Sequence, residues 1–201
     1  TQAGYANLCR LITAARMEAK VEGGQAEEDE ESWTGKTAPA LRWEVLAAHS
    51  QGLIALSGCR RGAAAAAFLA GAEEEGVAAL QRLYDLFGPR HLFVEIQHHD
   101  LPGDDRLVRK LLRAARRVGL PIVATHNVHY AAREQSMLRD ALIAVRHRET
   151  LAQAQQAGRL PFNDTYALPS PAEMARRFMQ QPQALHNTLA IAERCHTSLD
   201  F

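Results

Sequence analysis

Apolar side chains at Leu8, Leu11, Ile12 and Ala15 recur at helical spacing, and the segment Tyr5 to Lys20 is predicted to form a helix with one buried face. The period then vanishes in "VEGGQAEEDEES", where two glycines and six carboxylates between Glu22 and Glu31 repel one another and bury nothing. A mobile acidic loop over 21–38 is expected. Regular patterning returns with a helical stretch from Leu41 to His49, followed by "GLIALSGC", a short apolar run bounded by Gly52 and Gly58 that suits a strand buried on both faces. The alanine-rich segment from Ala63 to Phe87 reads as two helices broken near Gly71 or Gly76, with Phe68, Leu69, Val77, Leu80, Leu83 and Leu86 as apolar members. "HLFVEIQ" is a second strand. Asp104 or Asp105 then caps a helix whose stripe is Leu107, Val108, Leu111, Leu112 and Ala115, Gly119 ends it, and "PIVAT" is a third strand.

Strands that alternate with helices of this length indicate parallel βα units, because a parallel pair needs a crossover of about a dozen residues or more. The fold class is therefore α/β. Three strands do not close a barrel, and the chain opens on a helical segment with no strand before it, so it reads as part of a larger βα fold whose first strands lie upstream. The C-terminal quarter looks wholly helical. Ser170, Pro171 and Glu173 form a capping box with Met174 and Phe178 beyond it, and Pro182 starts a helix carrying Leu185, Leu189 and Ala192. The expected division is a βα domain over 1–150 and a helical connection over 151–201.

Composition changes this picture little. The chain has 201 residues and is 47% hydrophobic, enough for one domain with a sizeable core. Its 23 basic and 23 acidic residues cancel, so a nucleic-acid or membrane partner must be met by a local patch. No apolar run is long enough to span a bilayer and the N-terminus does not resemble a signal peptide, so the expected location is the cytoplasm. Cys9, Cys59 and Cys195 are widely separated, and reduced thiols are expected.

Parallel βα folds hold their ligands at the carboxyl ends of the strands, where loops converge and helix N-termini point inward. Cys59 follows the first strand; Gln97, His98 and His99 follow the second; His126, Asn127 and His129 follow the third. If the third strand stays extended, its period of two turns Asn127 and His129 to one side and His126 to the other. Imidazole suits zinc or manganese, thiolate favours zinc, and an asparagine oxygen is a weak neutral donor, so Cys59, Asn127 and His129 make a poor cage by themselves. Glu95 and His99 are accessory candidates. Each also has a plainer role, His98 and His99 as loop residues, Cys59 as a small buried hydrophobe, and Glu95 as a polar group satisfied near a strand end. The face bearing Arg106, Arg109, Lys110, Arg113, Arg116 and Arg117 is either solvated or a phosphate-contacting surface, with Arg109, Arg113 and Arg116 the candidate contacts.

Several of these segments coincide in one family. "GYANLCRLITAAR", "GLIALSGC", "LFVEIQHHDLPGDDRLVRKLLRAARRVGLPIVATHNVHYA" and "SPAEMARRFMQQPQALHNTLAIAERC" resemble the polymerase-and-histidinol-phosphatase (PHP) domain of bacterial C-family replicative polymerases, with the error-prone branch nearest. The resemblance implies part of a distorted parallel (β/α) barrel, normally seven-stranded, with zinc or manganese at the strand ends. It also implies that Cys59 matches a metal-ligating cysteine, while Asn127 and His129 stand where the family carries Asp-x-His. The family's HxH motif is expected upstream of "GYANL", making this chain an interior fragment.

A neutral Asn127 in place of an ionised aspartate removes charge that would hold a divalent cation and acidify its bound water. The reading is thus the PHP region of an error-prone DNA-directed DNA polymerase, a nucleotidyltransferase of replication and repair. Its PHP site is degenerate and mainly structural, and this fragment is inactive alone. Magnesium is expected in the polymerase centre outside the fragment, and DNA and deoxynucleotides are met through the parent enzyme. Two alternatives remain: a metal-dependent phosphoesterase or 3′–5′ exonuclease, and a non-catalytic platform for polymerase or repair subunits.

Overall fold

A computed structural model describes residues 1–18, 39–161 and 163–198. The expected acidic loop and the end of the first helix at Lys20 lie outside them. In chain order the elements are α1 (Gln2–Glu18), α2 (Trp43–Ala48), β1 (Ala55–Leu56), α3 (Ala63–Ala70), α4 (Glu73–Phe87), β2 (Leu92–Ile96), α5 (Asp104–Val118) and β3 (Ile122–Ala124). A 3-10 turn (Arg133–Gln135), α6 (Ser136–His147), α7 (Leu151–Gln156), α8 (Pro171–Arg177) and α9 (Pro182–Arg194) follow.

The three strands are parallel in the order β1-β2-β3, with Ala55 opposite Leu92 and Val94 opposite Ile122. The central strand β2 is buried along its length except for Glu95, as its unbroken apolar run requires. β1 departs from expectation. Only two residues pair, Ala55 is half-buried and Leu56 is exposed, because α4 and α5 pack on β2 and α9 on β3 while no helix of the described residues packs as closely on β1.

One core joins the sheet to its helices. Phe68 and Leu80 from α3 and α4, Leu107, Leu111 and Ala115 from α5, and Phe178 and Ala184 from the C-terminal quarter all belong to it. The break between α3 and α4 falls at Gly71, whose φ of 86° supplies the left-handed C-cap. Gly76 continues within α4, where a Cβ would lie 2.5 Å from the Phe68 ring, so the glycine is there for close packing. Gly119 ends α5 in the left-handed conformation, as predicted.

Three other expectations are revised. On α1, Leu11 is buried but Leu8 and Ile12 are exposed; the helix docks instead through Gly4, where a Cβ would lie 2.0 Å from the Gly52 carbonyl oxygen. The C-terminal quarter is not wholly helical: the described residues between α7 and α8 run as loop, and Ala167 pairs with Tyr130 in a parallel bridge. On α9 it is Ala184 and Leu185 that pack against the core, with Leu189 and Ala192 exposed, and Asn187 Nδ2 donates to the Ile122 carbonyl at 2.7 Å. The Ser170 capping box forms as the sequence indicated: Ser170 Oγ accepts from Glu173 N while the Glu173 carboxylate accepts from Ser170 N. Among the described residues no helix is long and apolar enough to cross a membrane.

Candidate functional site

The carboxyl ends of β1, β2 and β3 carry a connected polar network. Ser57 is buried and its hydroxyl accepts from Glu95 N at 2.9 Å, tying the end of β1 to β2. Glu95 in turn accepts from Thr125 Oγ1 and from Gln97 Nε2, and Gln97 also donates to Thr125 Oγ1 at 2.9 Å, which ties β2 to β3. Glu95 is thus a polar group satisfied at a strand end.

Asp104 does not cap α5. The cap residue is Gly103 in the left-handed region, and Asp104 is the first helical residue, with its side chain turned back under the β2–α5 loop. It is 2% exposed; Oδ2 accepts from His99 N at 2.7 Å and Leu101 N at 3.1 Å, while Oδ1 pairs with Arg60 from the β1–α3 loop. A buried carboxylate requires this satisfaction, and it fixes the backbone that carries His98 and His99.

His99 is buried, stacked on Tyr166 with ring centroids 4.6 Å apart, and 4.3 Å from the ring of His126. Its Nε2 accepts from Asn127 N at 3.3 Å, so Nδ1 carries the proton of the neutral ring and faces Thr165 Oγ1 at 3.4 Å. The His99 carbonyl accepts from Asn163 Nδ2 at 2.6 Å and Thr165 Oγ1 at 2.9 Å. His126 Nε2 meets the Thr165 carbonyl at 2.6 Å, and its Nδ1 is buried without a partner among the described residues.

Strand parity therefore fails beyond β3, which ends at Ala124. His126, expected to point away, joins the ring cluster, while Asn127 is half-buried and His129 is exposed with its ring edge-on to Tyr166 at 5.0 Å. Asn163, Thr165 and Tyr166 were not foreseen; they arrive from a loop more than sixty residues beyond His99, and no local pattern announces them.

Burial holds the His99 pKa down at about 4, with the neighbouring His126 adding to the effect, and burial likewise lowers His126. Both rings are neutral in the fold, whereas in the unfolded chain each takes a proton near its ordinary value of 6.5. The unfolded state binds more protons between those limits, so stability is full above pH 6.5 and falls as pH drops toward 4. A His99→Gln variant is expected to flatten that decline in urea melts across pH 4–7; a parental curve already flat there would contradict the assignment.

Cys59 is half-buried in the β1–α3 loop. Among the described residues no group of three or more His, Cys, Asp and Glu side chains is disposed to hold a metal ion. His99 Nε2 is engaged by a backbone N–H and the exposed His129 reaches the cluster only edge-on to Tyr166, so among the described residues these side chains form no cation cage by themselves.

The arginine face of α5 is divided. Lys110 bridges to Glu73 at 2.7 Å and to the Phe68 carbonyl, and Arg117 forms a two-pronged pair with Glu74 at 2.8 Å, so these two fasten α5 to α3 and α4. Arg106, Arg113 and Arg116 are exposed. Arg109 lines a groove of about 650 Å³ between α5 and α8, together with Arg133, Arg176 and Arg177.

A small parallel βα sheet with thiol, imidazole and amide groups at its carboxyl ends defines an α/β domain with its candidate chemistry on the strand-end face. Residues 1–99 match the PHP domain, and this half of the chain belongs to that family. The error-prone DNA polymerase of Symbiobacterium thermophilum is 40% identical over 201 residues, which cover 98% of this chain and 18% of that protein. The error-prone DNA polymerase of Nocardia farcinica is 36% identical over 96% of this chain, and the DNA polymerase III subunit alpha of Treponema pallidum 34% over 80%. The chain spans less than a fifth of the length of these relatives.

Proposed function

We propose that this chain is the PHP region of an error-prone DNA-directed DNA polymerase, and that its own strand-end site acts as scaffold. Similarity to error-prone polymerases along nearly the whole chain carries the first half of this reading. The second half is supported by the ring cluster, in which His99 and His126 pack against Tyr166 and Thr165 and, among the described residues, form no convergent set of charged donors. In the parent enzyme, nucleotidyl transfer takes place at a magnesium centre elsewhere, on DNA and deoxynucleotides. Cys59, Asn127 and His129 remain the residues that a zinc or manganese ion would meet in a PHP barrel, with Glu95 and His99 beside them. Asn127 weakens that set because it brings no charge.

The parent protein is expected to extend a primed template with magnesium and deoxynucleotides, and to leave 3′ ends intact when zinc or manganese is supplied. Metal analysis of the chain is expected to give well under one equivalent, unchanged by His129→Ala. A full equivalent of metal together with 3′-end cleavage, both lost in His129→Ala, would establish the exonuclease reading instead.

A platform role has one observation of its own. Met137, Leu138, Leu142 and Val145 leave an exposed apolar stripe on α6.

A further inference from the structure

We infer that the groove between α5 and α8 binds the phosphodiester backbone of single-stranded DNA. This deepens the polymerase reading, yet it rests on a site of its own. Four guanidiniums converge on the groove, from three separate stretches of chain: Arg109 on α5, Arg133 after β3, and Arg176 and Arg177 on α8. Arg177 is held by the His98 carbonyl at 2.6 Å and by Asp100 at 3.0 Å, and Arg133 by Asp164 at 3.4 Å and Glu173 at 3.8 Å. These two are preorganised. Arg109 and Arg176 make no hydrogen bond or ion pair among the described residues, so two cations face the groove with their donors uncommitted.

Three carboxylates line the same groove, and each is already engaged. Asp100 holds Arg177 and sits 3.3 Å from His98 Nδ1; Asp105 meets His98 Nε2 at 3.0 Å; Glu173 closes the Ser170 capping box. Four guanidiniums outnumber the three carboxylates, and the unpaired Arg109 and Arg176 offer fork-shaped donors of the kind that recognise phosphate oxygens in pairs. Four cations from three stretches of chain around an open groove of about 650 Å³ suit the phosphates of a strand better than one compact anion. Val108, Leu112 and Met179 supply apolar lining on which nucleotides can rest.

Arg109→Glu/Arg176→Glu replaces only the uncommitted pair and leaves the fold-tying contacts of Arg133 and Arg177 in place. Fluorescence anisotropy with a labelled oligothymidylate at low salt is expected to show at least about tenfold weaker binding by this variant. The dependence of log K on log salt is expected to lose about 0.7 for each phosphate contact removed. Arg16→Glu/Arg90→Glu, two exposed arginines outside the groove, is expected to retain most of the affinity. Equal weakening by both variants, no oligonucleotide binding by the parent chain, or binding of inorganic pyrophosphate without the oligonucleotide would each overturn the assignment. None of these outcomes bears on whether the parent protein extends primers, so failure of the groove and failure of the polymerase reading are separable.

Discussion

Asp104→Ala is expected to lower the stability of the chain by about 3–5 kcal/mol. The substitution strips the acceptor from two backbone N–H groups, of His99 and Leu101, at about 1–3 kcal/mol each, and it unpairs Arg60. Arg60 is 30% exposed and can turn to water, which keeps the total from rising further. Urea unfolding followed by circular dichroism measures the loss. Asp104→Asn retains an acceptor for the loop and is expected to lose clearly less, so the difference between the two variants isolates the backbone contribution. An alanine variant within about 0.5 kcal/mol of the parent, the range usual for surface changes, would show that the β2–α5 loop is held by something else.

The second large effect lies in the core. Phe68 is 1% exposed and its ring covers Gly76, so α3 and α4 meet through an aromatic face laid against bare backbone. Phe68→Ala is expected to cost about 3–5 kcal/mol, since the cavity is roofed by helical backbone that cannot collapse into it. Domains of this kind have only about 5–15 kcal/mol in total, so the variant is expected to melt well below the parent in a thermal scan. Phe68→Leu, which refills part of the volume, is expected to recover more than half of the loss. A Phe68→Ala cost under about 1 kcal/mol would mean that α3 and α4 close over the gap.

The elements that were legible in the sequence are those specified by local chemistry. Gly71 and Gly119 end helices because their φ values are open only to glycine at low cost, and both signals are visible from neighbouring residues alone. The Ser170 box is equally local, and the unbroken apolar run of β2 follows from burial on both faces. The strand-end face was legible too, because parallel βα architecture dictates where loops converge. The identity of the side chains that meet there was not. Parity along a strand holds only while the backbone stays extended, and β3 stops at Ala124, two residues before His126. Asp104 was read as a cap because its position before an apolar stripe favours that role; only the tertiary approach of Arg60 and of the His99 amide shows its actual partners. Arg176 and Arg177 carry no signal of their own in the sequence, since their meeting with Arg109 depends on how α8 lies against α5.

The ring cluster also makes the carboxyl end of the sheet depend on chain far away in sequence. His99 is surrounded by groups from residues 126, 127, 163, 165 and 166, and its carbonyl partners lie 64 and 66 residues downstream. The contacts that β2 makes with β1, α4 and α5 span much shorter stretches of chain and involve nothing beyond β3. Any change that draws residues 163–166 away therefore leaves the carboxyl end of the sheet wet and the His99 ring in water. The imidazole becomes a neutral interior group only when Thr165 and Tyr166 close over it.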